Sequence, residues 1–274
     1  LIIDSQKQFD QGLALTNKVL AKRPDAQLTL LKAYFHSRLG QAKPAWDIIN
    51  STADDVKALP FVRGVIARLH LIDKAPEQAV EHAQAAYDAT PNSDNALLLI
   101  AALEMSGKKA QAFTFLEKHV QMHCNDIPSA MLLAERQIGK DRAAAIKTYE
   151  QVLAKTPDNF VVLNNLAFLA LEDKKLTRAE ELAKKAVSLQ RENADAADTL
   201  AQIYIAKGDK AAALKLFEEV DAHPIANDDV YLNYVSVLLE LDKKALASRK
   251  LASREFKSEA AKQRAESLKQ QYGL

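Results

Sequence analysis

The stretch that decides the fold of this chain is LNNLAFLALEDKKLTRAEELAKKAVSLQ (163–190), together with DTLAQIYIAKGDKAAALKLFEEV (198–220). Within each stretch, Ala and Leu recur every three or four residues on both sides of a short polar interruption. This spacing is typical of two amphipathic helices joined by a turn. The sequence therefore predicts two consecutive helical hairpins over these residues.

Prolines recur along the chain at intervals of 66 or 67 residues, which is close to twice 34. They are Pro24, Pro91, Pro157 and Pro224. Four of the seven glycines lie between helix-like stretches, where a residue in the left-handed conformation can end a helix. They are Gly40, Gly107, Gly139 and Gly208. Because a fixed period in the thirties is typical of stacked helical hairpins, we predict an array along the whole chain rather than one globular core.

The composition excludes several classes of protein. The 274 residues include 37 Lys and Arg against 36 Asp and Glu, whereas a dedicated nucleic-acid-binding protein usually carries a basic excess. A single Cys excludes a disulfide scaffold and a structural zinc site built on several thiolates. The longest apolar run, 96–103, is much shorter than the ~20 residues of a membrane-spanning helix. We therefore expect no nucleic-acid partner and no transmembrane segment in this fragment. The helical spacing described above predicts an all-α protein.

The two quoted stretches resemble the tetratricopeptide repeat, a 34-residue helix–turn–helix unit. The resemblance implies an all-α, right-handed superhelix (an α-solenoid) of antiparallel helical hairpins. About seven repeats fit over residues 26–257: 26–59, 60–93, 94–126, 127–159, 160–193, 194–227 and 228–257. Residues 258–274 are expected to form a C-terminal capping helix, since a solenoid needs a polar-backed end.

The N-terminal residues 1–25 are expected to be a truncated repeat. The chain begins at Leu1 rather than Met, and its first residues carry no secretory leader pattern. We therefore expect a processed or truncated chain, with any export or lipidation signal upstream of Leu1.

In the tetratricopeptide family, the first helix of each repeat lines the concave face, where partners bind. The resemblance places a set of polar, charged and aromatic candidates for partner contact on that face. They are Tyr34, Arg38, Phe61, Arg68, Asn95, Asn164, Asn165, Phe168, Asp195, Asp198, Gln202 and Asn233. Asparagine amides suit a peptide backbone because they both donate and accept hydrogen bonds, and aromatic rings supply apolar anchors.

The cochaperone branch of the family holds a peptide carboxylate with Lys, Arg and Asn on successive first helices. Asn165 occupies a suitable position, but no Lys or Arg flanks it in the adjoining repeats. Asp195 and Asp198 would repel a carboxylate. We therefore reject that function, and we expect a partner whose positive charge faces the later repeats.

A metal site is the remote alternative. His119 and His123 are four residues apart and share one side of a helix, and Cys124 follows. That spacing suits zinc or nickel, but no further ligand is identifiable. The competing interpretation is a helix end at which a C-terminal histidine is favoured by the helix dipole. We favour the second interpretation and predict no metal.

No phosphate loop, nucleophile elbow or metal-binding helix motif is present in the sequence. The leading interpretation is a non-enzymatic scaffold, without cofactors, that binds a protein or peptide. The runs LNNLA (163–167) and DTLAQIY (198–204) also resemble bacterial envelope arrays, including the tetratricopeptide lipoprotein associated with exosortase (PEP-CTERM) sorting and exopolysaccharide production.

The alternative function is an adaptor in a secretion or membrane-associated complex. Residues 242–274 carry an excess of Lys and Arg that suits weak contact with anionic surfaces. The sequence leaves the compartment open between the bacterial envelope or periplasm and the cytoplasm.

Overall fold

The computed structural model describes residues 2–274, with side chains described from Gln6 onward, and this part of the chain is entirely helical apart from its turns and loops. The helices are α1 (Ile2–Leu20), α2 (Ala26–Arg38), α3 (Ala42–Asn50), α4 (Asp54–Lys57), α5 (Pro60–Ile72), α6 (Pro76–Ala89), α7 (Ser93–Met105), α8 (Lys109–Met122), α9 (Ile127–Ile138), α10 (Arg142–Lys155), α11 (Phe160–Glu172), α12 (Leu176–Leu189), α13 (Ala194–Ala206), α14 (Lys210–Val220), α15 (Asp228–Glu240), α16 (Lys244–Ala252) and α17 (Glu259–Tyr272). The prediction of an all-α array of helical hairpins is confirmed. No helix of the described residues combines the length and apolar character needed to cross a membrane.

The chain divides into two compact units, Leu1–Lys140 (unit 1) and Asp141–Leu274 (unit 2). In unit 1, the first helices of successive hairpins, α2, α5, α7 and α9, pack side by side. In unit 2, α11, α13 and α15 do the same, and α17 packs against α15 and α16. The division of residues 26–257 into seven repeats stays a prediction.

The core of each hairpin combines small and large side chains. Fully buried alanines lie where helices approach one another, including Ala67 and Ala83 in unit 1 and Ala183 in unit 2. Their small volume permits close helix packing, and larger residues fill the remaining space. In unit 2, the rings of Phe217 and Tyr234 stack with their centroids 5.3 Å apart. The recurrence of Ala and Leu in the sequence therefore reflects how the helices pack against one another.

Side-chain caps fix the starts of most first helices. The capping side chains accept a hydrogen bond from the first turn of α2, α7, α9, α11, α13 and α15. They are Asp25, Asn92, Asp126, Asn159, Asn193 and Asn227. Such a cap contributes ~1 kcal/mol to helix stability. Helix α5 lacks one and begins instead with Pro60, whose fixed φ suits the first helical position.

Three-residue turns join the first and second helices of each hairpin, and the central residue of most of these turns has a positive φ. These residues are Gly40, Lys74, Gly107, Lys174, Gly208 and Asp242. The prediction for Gly139 is wrong, because this residue has φ −80° and is the right-handed end of α9. Its turn therefore closes without a left-handed glycine.

Substituting Gly208 by alanine is expected to lower the free energy of unfolding by ~1 kcal/mol, because its φ of +84° is unfavourable for any residue with a Cβ. Nothing lies within 4 Å of the position of that Cβ, so the effect comes from backbone conformation alone. Gly139→Ala is the matched control, since it has equal space but a negative φ. Urea denaturation of both variants measures the difference, and equal unfolding midpoints would contradict the argument.

Candidate functional site

A groove on the first helices of unit 1 is lined by four of the residues that the resemblance placed on the concave face, and a fifth lies beside it. It lies between α2, α5 and the start of α7 and has a volume of about 230 Å³. We call it the arginine groove and define it by its lining residues Tyr34, Phe61, Gly64, Arg68, Asp94 and Asn95, together with Arg38, which pairs with Asp94. The sequence predicted all of these as contact candidates except Gly64 and Asp94.

Two arginines in the groove share a single carboxylate. Arg38 and Arg68 donate to the two oxygens of Asp94, at 2.5 Å and 3.0 Å respectively. The Nε of Arg68 is buried and has no hydrogen-bond partner among the described residues. Burial lowers the pKa of Arg68 below its ordinary value, although the charge of Asp94 opposes this shift. The positive charge of the two arginines is therefore partly neutralised by Asp94.

Aromatic rings form one wall of the groove. The ring of Tyr34 lies 5.7 Å from that of Phe61 and 6.2 Å from that of Phe9, which α1 supplies. The guanidinium carbon of Arg38 is 4.5 Å from the centre of the Phe9 ring, within range of a cation–π interaction. Phe61 remains 46% exposed. The groove thus offers one accessible aromatic surface beside two positively charged groups.

Asn95 has a structural role at the back of the groove. Its Nδ2 donates to the carbonyl oxygens of Ala86 at 3.2 Å and Thr90 at 2.9 Å. These bonds fix the connection between α6 and α7. Both donor hydrogens of the amide are therefore engaged by the chain itself.

In unit 2, the candidates on α11 have different surroundings. Asn165 donates to the hydroxyl of the buried Tyr149 at 2.9 Å, so it holds α11 to α10. The Oδ1 of Asn164 is buried without a hydrogen-bond partner in the part of the chain that is described. Phe168 is 50% exposed and is the one residue of the three that presents a large apolar surface.

The candidates on α13 and α15 form a hydrogen-bonded network. Asp198 accepts from Nδ2 of Asn233 at 2.8 Å and, more weakly, from Nε2 of Gln202 at 3.5 Å. Asp195 accepts from Nδ2 of Asn227 at 3.0 Å. Neighbouring first helices are therefore linked through the side chains predicted for partner contact.

The C-terminal helix α17 joins this network through Arg264. Its guanidinium donates to Oδ1 of Asn233 at 2.6 Å and lies 3.7 Å from Oδ1 of Asp229. The sequence indicated Arg264 only as part of a basic segment, because no local pattern shows which side chain a capping helix will meet. Burial raises the pKa of Asp198 to about 6, against the opposing effect of the hydrogen bonds that it accepts.

Most basic residues of the C-terminal segment form ion pairs within unit 2. The pairs are Lys243–Glu218, Lys250–Asp221, Arg254–Asp228, Lys262–Glu259, Arg264–Asp229 and Lys269–Glu266. This internal pairing reduces the positive charge available to an anionic surface.

His119 is a structural residue with no nitrogen left for a metal. It is fully buried, and its Nε2 and Nδ1 lie 2.7 Å from Oδ2 of Asp126 and 2.7 Å from the hydroxyl of Tyr87. Because a carboxylate only accepts, Nε2–H donates to Asp126, and in the neutral imidazole Nδ1 then accepts from the Tyr87 hydroxyl. His123 stacks on His119 with ring centroids 4.6 Å apart. Among the side chains that are described, from Gln6 to Leu274, no group of three or more His, Cys, Asp or Glu residues is arranged to hold a metal, and this includes Cys124.

Asp126 completes this buried triad. Burial alone would raise the pKa of its carboxyl, but hydrogen bonds from His119, Ser129 and Ser93 together hold the pKa below its ordinary value. The same carboxylate accepts from the backbone N–H of Ser129 and so caps α9. The histidine spacing seen in the sequence therefore reflects the joining of α6, α8 and α9.

Residues 139–203 match the family model of the tetratricopeptide repeat. Among solved structures, the chain is similar to MamA (41 to the end) from Desulfovibrio magneticus RS-1, at 20% identity and a TM-score of 0.51, over 60% of this chain and 93% of that chain. It is also similar to pilF of Pseudomonas aeruginosa, at 16% identity and a TM-score of 0.58, over 73% and 92% of the two chains.

A further likeness is to the APC/C hetero-tetramer Cut9–Hcn1, at 15% identity and a TM-score of 0.61, over 94% of this chain and 52% of that chain. No curated protein sequence matches the chain. At these identities, the solved structures show a shared fold and nothing of a shared partner.

Proposed function

We propose that this chain, an array of the tetratricopeptide-repeat type, is a non-enzymatic scaffold that binds a protein or peptide through the first helices of unit 1. The observation that carries the proposal is the arginine groove, where the half-exposed ring of Phe61 lies beside Arg38 and Arg68. Aromatic and arginine side chains are enriched among the residues that dominate binding energy at protein interfaces. The groove concentrates both kinds on one face.

The exposure of Phe61 supports a role in binding rather than in folding. A phenylalanine that leaves about half of its surface in water contributes less to the core than a buried one, because the hydrophobic effect scales with the apolar area removed from water. A partner that covers the ring would remove that remaining apolar area from water. Phe61 is therefore better placed to stabilise a complex than the free chain.

Substitution of Phe61 by alanine is expected to weaken peptide binding by about 10-fold or more, as for an aromatic residue at the centre of an interface. Peptides are first selected from a displayed random 12-residue library on the whole chain, and their affinities are then measured by calorimetry. Leu189→Ala is the matched control, because Leu189 is also half-exposed but lies on the second helix α12. Failure to select any peptide, or equal binding by the Phe61 variant and the wild type, would overturn the proposal.

The narrower assignment to an envelope or exopolysaccharide-related assembly rests on the runs 163–167 and 198–204 alone, and the proteins compared above give it no support. The genes adjacent to the one encoding this chain test it. Polysaccharide and sorting genes would favour that assembly, whereas secretion genes would favour the adaptor function. The ion pairs of the C-terminal segment favour an end cap over an adaptor surface.

A further inference from the structure

We infer that the arginine groove receives a short acidic–apolar segment, in which an Asp or Glu side chain neighbours a bulky apolar one, and that Gly64 keeps the floor of the groove open for it. This inference rests on the proposed function, since it names the class of peptide that the groove takes.

The charge of the groove favours an acidic group. Arg38 and Arg68 bring two positive charges, and Asp94 supplies one negative charge. The side chains of Arg38 and Arg68 keep 26% and 18% of their surface exposed, so an incoming carboxylate can reach them from solvent. Arginine suits such a ligand because its planar fork can bond two acceptors at once. Because Asp94 neutralises only one of the two positive charges, a second carboxylate would neutralise the other.

The shape of the groove favours an apolar neighbour for that acidic group. Its volume of about 230 Å³ is smaller than the ~300–1,000 Å³ of pockets that enclose drug-sized ligands. It therefore suits one or two side chains of a peptide rather than a cofactor. The exposed ring of Phe61 provides the apolar contact next to Arg68.

Gly64 is unexpected on grounds of stability. It lies in the middle of α5, where a glycine costs ~1 kcal/mol relative to alanine. A Cβ at this position would lie 3.6 Å from Oδ1 of Asn95 and 3.9 Å from Cβ of Ala86, which are ordinary contact distances. Alanine at position 64 would therefore have a better helix propensity and would fit without a clash. The glycine does provide depth, because it lines the groove without a side chain.

The decisive variant is Gly64→Ala, which separates binding from folding. We expect its midpoint of urea unfolding to rise, while its affinity for the selected peptides falls by at least about 10-fold because the added methyl group occupies the floor. The probes are N-acetylated, C-amidated copies of those peptides, so that any carboxylate belongs to a side chain and not to the chain terminus. Each acidic residue is also replaced by its amide, Glu by Gln or Asp by Asn, which is expected to cause a similar loss.

Two further variants serve as references. Gly139→Ala adds a methyl group to open space outside the groove and is expected to leave the affinity unchanged. Arg68→Gln removes one guanidinium and is expected to weaken binding of the acidic peptide and to reduce its dependence on salt, since screening acts on charge pairs.

The outcomes distinguish the two claims. If selected peptides lack an acidic residue, or bind Gly64→Ala as tightly as the wild type, the inference is wrong. The proposed function then stands, provided that those peptides still depend on Phe61. If no peptide is selected at all, both claims are overturned.

Discussion

Substitution of His119 by alanine is expected to lower the free energy of unfolding of unit 1 by about 4 kcal/mol, the largest loss among the changes considered. The imidazole is fully buried, so its removal leaves a cavity. It also leaves the Tyr87 hydroxyl and the Asp126 carboxylate without the partner that joins them. A buried polar group that loses its partner costs ~1–3 kcal/mol, and a charged one costs more.

Hydrogen exchange measured residue by residue is the appropriate test, because a chain of two units need not unfold in a single step. Protection is expected to fall most in α8 and at the start of α9. His123→Ala is the matched control: His123 stacks on His119 but is only half-buried, and it lies at the end of α8. If the two variants lose the same protection, the buried triad does not hold these helices together.

The substitution Asp198→Asn is expected to stabilise unit 2 at pH 7 by up to about 3 kcal/mol. The folded chain raises the pKa of Asp198 to about 6, compared with an ordinary value of 3.8. A carboxyl whose pKa is raised on folding stabilises the folded state below its ordinary pKa. That contribution is lost as the pH rises through about 6. Wild-type unit 2 is therefore expected to be less stable at pH 7 than at pH 5.

An asparagine at this position keeps an oxygen that can accept from Asn233, but it never ionises. The pH dependence of stability that arises from Asp198 therefore disappears. Unfolding by urea at several pH values between 4 and 7 gives the comparison between variant and wild type. Asp229→Asn is the control, because the Asp229 side chain is 80% exposed on the neighbouring first helix. A stability difference between wild type and Asp198→Asn that does not change with pH would refute the assignment.

Much of the fold was predictable because its determinants are local. The spacing of Ala and Leu in 163–190 and 198–220 predicts helical hairpins, and the structure contains them at α11–α12 and α13–α14. Gly40, Gly107 and Gly208 adopt the left-handed conformation that their position predicts. Lys74 and Lys174 adopt it as well, although no propensity favours it, because the three-residue turn imposes the conformation.

The site was predictable only in part, because its chemistry depends on contacts between distant residues. The first-helix register placed Tyr34, Phe61 and Arg68 on one face, and the structure brings them together. It could not show that Asp94 reaches two arginines from different helices, since that depends on side-chain length and direction. The histidine spacing could not show the role of His119 for the same reason: metal-binding helices share that spacing, and Tyr87, the decisive partner, lies 32 residues away.

The fully buried alanines recur from hairpin to hairpin, whereas the combination of Arg38, Arg68 and Asp94 occurs once among the side chains that the structure describes. Duplication of one hairpin would therefore copy the ability to fold without copying the ability to recognise a ligand. In a chain of this kind, new specificity can arise by divergence of single copies while the inherited packing stays intact.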